Sequence, residues 1–153
     1  MREENLVILE STLPAIRERG MQVAQIFYRD LLSAHPELKP MFSANDQDSG
    51  AQAERLAKAL IAYVGNIRGL DVLGPAVTNI SRRHVKLHVV PEQYPIVGQH
   101  LLGAIKTVLG DVATPEVIAA WAEAYQELAD LMIARESEMY ADQELHSAPC
   151  PFN

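Results

Sequence analysis

The chain has a single cysteine, Cys150, so no disulfide can form within its 153 residues. It has no long apolar run either: no window approaches the ~18 uninterrupted apolar residues that a bilayer span requires. Basic residues are in deficit, 13 Lys and Arg against 20 Asp and Glu, and the formal charge of -7 repels phosphate backbones and anionic lipid surfaces. A secretory signal is missing too, because MREENLVILE turns charged at once and has neither a basic start before an apolar run nor a small-residue cleavage site. From these absences we expect a protein of a reducing cytoplasm, with no nucleic-acid partner and no stable membrane insertion.

Several motifs are absent as well. No Gly-x-Gly pair exists, which removes the Rossmann fingerprint. GQHLLGAIK carries two glycines but lacks the Lys-Ser/Thr of a phosphate loop, and no serine sits in a Gly-x-Ser-x-Gly elbow. Alternating β-branched runs bounded by turn signals are hard to find, and no internal repeat is visible.

What is present is a helical apolar period over most of the chain, so the reading is all-α. A first helix is expected over 4–19 with Pro14 inside it, then a break at Gly20 and a second helix through MQVAQIFYRDLLSAH. His35-Pro36 forces a corner, since a residue before proline avoids the helical region. SANDQDSG, 43–50, reads as a loop, with Ser49 capping a helix through AQAERLAKALIAYVGNI. Gly74-Pro75 opens a helix to about His88, Pro91 another to about Leu109, and Thr114-Pro115-Glu116 a last one to about Tyr140. Residues 1–140 then form one domain, and 141–153 a loose tail.

Some residues on apolar faces look out of place there. At about 100° per residue, Trp121, Tyr125, Leu128, Met132 and Glu136 form one stripe, so a carboxylate continues an apolar face. Read alone, Glu136 more simply follows the helix end into solvent. Val77, Ile80, His84 and His88 share another face. For His84 the simpler reading is a satisfied core histidine, and for His88 a last-turn partner of the helix dipole. A shared zinc ion is disfavoured, because Val85 stands where the zincin motif needs glutamate and no further ligands are near. Tyr28, and Gln52 with Leu56, lie on faces from which a hydroxyl and an amide could reach one cavity. Each is weak evidence alone.

The segments FYRDLLSAHPELKPMF, GAQAERLAKAL, SRRHVKLHVVPEQYPIVGQHLLGAIKTVLG and WAEAYQELADLMIARESEMY resemble the globin domain of bacterial flavohaemoglobins and of related single-domain bacterial haemoglobins. The resemblance covers roughly residues 5–140, and its most specific part runs from His84 to Gly103. It implies a globin fold, a helical sandwich around a pocket for haem b. It also implies His84 as the proximal iron ligand, with Tyr94 and Glu136 beside it. On the distal side it implies Tyr28 as the oxygen-bonding tyrosine, Gln52 as the distal glutamine, Leu56 over the iron and Phe42 packed on the porphyrin.

The function so implied is reversible dioxygen binding with oxidation of nitric oxide to nitrate. The alternative is a non-catalytic oxygen store or carrier for respiration. The chain stops after YADQELHSAPCPFN, short of the reductase module of a flavohaemoglobin, so it is either a single-domain haemoglobin or an excised globin domain. Because the tail does not resemble a linker before a reductase we expect the former, a monomer or homodimer that takes electrons from a separate reductase.

Overall fold

A computed structural model describes residues 1–42 and 50–147. The expected cap Ser49, most of the expected loop, Cys150 and the last six residues lie outside that set. Among the described residues five α-helices carry the fold: α1 (Glu3–Ala34), α2 (Ala51–Gly65), α3 (Gly74–Lys86), α4 (Tyr94–Leu109) and α5 (Pro115–Ser147). Short 3-10 turns at Pro36–Met41, Leu70–Leu73, Pro91–Gln93 and Gly110–Val112 connect or extend them, and no strand occurs among the described residues.

The local signals place most boundaries. Pro75 sits in the first turn of α3, where its missing N–H is no loss. Thr114 Oγ1 accepts the amide of Val117 at 3.3 Å and caps α5. Gly50 stands before α2 with φ 75°, a left-handed conformation that suits glycine.

Three expectations need correction. The break at Gly20 does not occur, and α1 runs unbroken through Pro14 and Gly20. Gly20 is a crossing point: a Cβ there would lie 3.5 Å from Ala57 Cβ, and beside it Ala24, Ala53 and Ala57 form a buried small-residue contact. Contact with α2 offsets the ~1 kcal/mol that glycine costs a helix. The last helix does not stop near Tyr140 but continues to Ser147, so the expected loose tail begins as helix. His88 does not continue α3; it leaves the helix with φ 61° and is exposed.

That third departure is a helix stop of defined geometry. The amide of His88 bonds Val85 O at 3.1 Å and the amide of Val89 bonds His84 O at 2.9 Å, the paired bonds of a Schellman ending. His88 therefore holds the left-handed position that glycine usually fills. The principal core lies where α1, α2, α4 and α5 meet, around Leu9, Ile16, Leu31, Val64, Ile105 and Trp121. A smaller cluster of Val77, Tyr94, Ala129 and Met132 packs α3 against α4 and α5. No described helix is long and apolar enough to cross a membrane.

Candidate functional site

His84 lies in the last turn of α3, with its side chain 30% exposed. Its Nδ1 is 3.0 Å from the Tyr94 hydroxyl and 3.1 Å from Glu136 Oε2. Tyr94, the first residue of α4, donates to the same carboxylate, 2.8 Å from Oε1 and 2.7 Å from Oε2. Glu136 is only 3% exposed, so the reading in which it follows its helix into solvent is wrong. Tyr94 and the end of α3 cover it.

A carboxylate accepts and does not donate, so His84 carries its proton on Nδ1. That leaves the lone pair on Nε2, which has no hydrogen bond to a described residue. An imidazole whose N–H is held by an acid has a fixed orientation and a more basic free nitrogen, the arrangement that suits a metal ligand. The Tyr94 hydroxyl pKa is pushed far above its ordinary value, first by burial and then by Glu136, so Tyr94 stays a donor.

Two residues that the sequence reading gave no role fix Tyr94. Tyr125 Oη donates to Tyr94 O at 2.6 Å, and its ring lies on Gly98, where an added Cβ would come within 2.5 Å of Cε1. Gly98 is thus required for close approach. Gly98→Ala is expected to destabilise the fold by about 1–3 kcal/mol in urea unfolding through overpacking. Gly103→Ala, with nothing within 4 Å of the new methyl, is expected to be neutral or mildly stabilising. Besides Tyr125 and Gly98, a third residue missed is Tyr140: its hydroxyl donates to Val89 O at 2.7 Å. Its place four residues after Glu136, on the same helical face, was the available signal.

The remaining candidates gather at the α1–α2 crossing and the proline corner. The Tyr28 ring packs edge-on against Phe27 and Phe42, at centroid distances of 4.9 and 5.5 Å. Leu56 packs with Tyr28 against the small-residue contact. Gln52 stands in the first turn of α2, and its Oε1 is buried without a hydrogen-bond partner among the described residues. Gln93 Nε2 reaches Met41 Sδ at 3.7 Å, joining the corner before Phe42 to the turn before Tyr94.

A His84 Nε2 left free because an acid holds Nδ1, a buried amide oxygen with no partner among the described residues and a tyrosine hydroxyl with no bond to a described residue form a set of polar atoms that fits haem and its ligand. His84 would hold the iron, and Tyr28 and Gln52 would face its ligand. Burial raises the Tyr28 hydroxyl pKa to about 12, against a slight pull downwards by Arg55, so Tyr28 remains a donor at neutral pH.

All five tyrosines are shifted upwards, chiefly by burial, Tyr63 also to about 12. The native state keeps these protons after an unfolded chain would release them near pH ~10. The contribution of Tyr28 and Tyr63 to stability is therefore complete below that pH and is lost as pH rises towards 12. An absorbance titration is expected to show tyrosinate appearing only together with loss of helical circular dichroism. Early, non-cooperative ionisation would contradict the burial.

Comparison with known proteins bears on this geometry. The globin family profile matches residues 25–132. A flavohemoprotein of Rhizobium meliloti is 46% identical over 137 residues, which is 90% of this chain but 34% of that protein. The chain thus spans about a third of the length of the curated relatives it matches. Among solved structures, an engineered carbene transferase from Rhodothermus marinus, whose parent is taken to be a nitric oxide dioxygenase, superposes with a TM-score of 0.88. It is 30% identical, over 94% of this chain and 98% of that one. A flavohemoglobin of Malassezia yamatoensis with bound FAD and heme is 33% identical with a TM-score of 0.84, over 92% of this chain and 37% of that one.

Proposed function

The chain belongs to the globin family, and on that footing we propose that it binds haem b, takes up dioxygen reversibly and oxidises nitric oxide to nitrate with electrons from a separate reductase. The observation that carries the reading is the buried Glu136 carboxylate on His84 Nδ1, completed by Tyr94. Haem, when bound, supplies an iron that takes up dioxygen and delivers it to nitric oxide, and one external electron then restores it.

The rest is the work of this chain. Glu136 and Tyr94 orient His84 and raise the donor strength of Nε2 by sharing the Nδ1 proton. A stronger donor would make a bound iron more electron-rich, which favours redox chemistry over simple storage. Tyr28 would donate a hydrogen bond to a ligand oxygen that gathers negative charge, and Gln52 could do the same with its amide N–H. Leu56 and Phe42 supply apolar walls.

Tyr28→Phe is expected to accelerate dioxygen release about tenfold to a hundredfold, since a hydrogen bond to a charged acceptor contributes roughly 1.5–3 kcal/mol. Flash photolysis or stopped-flow displacement measures it, and an unchanged off-rate would mean that Tyr28 points elsewhere. The function itself is tested by mixing the oxygenated protein rapidly with nitric oxide. Fast, stoichiometric nitrate is expected; slow or incomplete nitrate would sink the dioxygenase reading and leave an oxygen carrier.

A further inference from the structure

We propose that Tyr140 is a positioning residue for His84, acting through the backbone of Val89. The consequence for iron rests on the haem-binding reading, whereas the strap itself rests on the fold alone. Tyr140 Oη donates to Val89 O at 2.7 Å, and Val89 N donates to His84 O at 2.9 Å. Val89 can serve both partners, one through its N–H and the other through its C=O, because His88, at φ 61°, turns the chain back over the end of α3.

One helical turn before Tyr140 on α5, Glu136 holds the imidazole at 3.1 Å. α5 thus grips His84 at two points, the ring through Glu136 and the backbone carbonyl through Val89. Two points fix an orientation where one would leave a pivot. If the outer point is released, the end of α3 can fray, and the ring then drifts relative to a carboxylate that α5 holds in place.

The Tyr140 ring has a separate task. With Val89, Pro91, Ile133 and Ser137 it walls a largely apolar cleft of about 160 Å³ that borders Glu136. The hydroxyl and the ring can therefore be separated experimentally, since Tyr140→Phe keeps the wall and removes only the donor. Val89 O then has no donor from α5.

The test uses Tyr140→Phe in the full chain with two readouts. In the haem-free protein, hydrogen exchange at the Val89 amide is expected to speed up about threefold to tenfold, the loss of one hydrogen bond, while Leu101 and Ile105 in α4 keep their protection. In the haem-loaded, reduced protein without added ligand, the iron–histidine stretching band in resonance Raman is expected to move to lower frequency, as the Nδ1–Glu136 bond weakens. A merely structural role would lower the melting temperature and leave that band in place.

Unchanged exchange at Val89 overturns the proposal, and so does faster exchange with an unmoved band. If the wild-type chain takes up no haem, the function proposed above fails, and the Val89 exchange still decides whether the strap exists.

Discussion

His84→Ala is expected to abolish stable haem binding: titration with haemin should give no sharp Soret band, and no reduced carbon monoxide spectrum of a histidine-ligated haem. The expectation follows from the hydrogen-bond inventory. His84 has one nitrogen committed to Glu136 and Tyr94 and the other free, and only the free one can ligate. The fold should survive the change. The His84 side chain is 30% exposed, and Glu136 keeps both contacts from Tyr94 after the imidazole is gone. A cost of about 1–3 kcal/mol is expected for the lost bond, read from urea unfolding of the haem-free chain. Added imidazole should restore part of the band by entering the vacated space.

His88 provides the control, because it lies only four residues away and carries the same ring. At φ 61° it occupies a left-handed position where a side chain costs about 1–2 kcal/mol. His88→Gly is therefore expected to leave the haem spectrum intact and to stabilise the fold by about 0.5–1 kcal/mol, part of the strain relief being offset by a freer unfolded chain. Loss of haem from His88→Gly with retention in His84→Ala would reverse the assignment of the ligand.

These two histidines also show where the sequence was informative and where it was not. Their spacing placed both on one helical face and could not rank them. What separates them is a helix stop made by backbone bonds from His88 and Val89, which no residue preference announces. The corner at His35-Pro36, the opening of α3 at Gly74-Pro75 and the Thr114 cap were legible because each is decided by atoms within a few residues. Gly20 was misread for the opposite reason: its local preference is to end a helix, and contact with Ala57, distant in sequence, overrides it. The burial of Glu136 likewise depends on cover from Tyr94 and α3, so a pattern on α5 alone pointed to solvent. The resemblance to globins named the pair His84 and Glu136, but not Gly98, Tyr125 or Tyr140, which hold the surrounding backbone in place.

Glu136→Gln is expected to lower nitric oxide turnover by about tenfold to a hundredfold, the usual effect of removing the group that supports a metal-bound histidine. Glutamine keeps the volume and can still accept one hydrogen bond, so the change isolates the charge. The iron–histidine stretch should fall with it, while unfolding free energy should change little. The companion variant Glu136→Leu/Tyr94→Phe removes the carboxylate together with the hydroxyl that would otherwise be left without its acceptor. Replacing a buried ionic group by apolar side chains is commonly neutral or stabilising by about 1–4 kcal/mol, which offsets the bonds lost at the partly exposed His84, so this double variant should be close to the parent in stability. Its turnover should nevertheless be no better than that of Glu136→Gln. Equal stability with lost turnover would mean that a buried carboxylate stands on an apolar stripe because of what it does to His84, since packing alone would be served as well by leucine. If both variants instead kept full turnover and an unmoved iron–histidine band, Glu136 would be a structural group, and the case for redox chemistry over oxygen storage would fall with it.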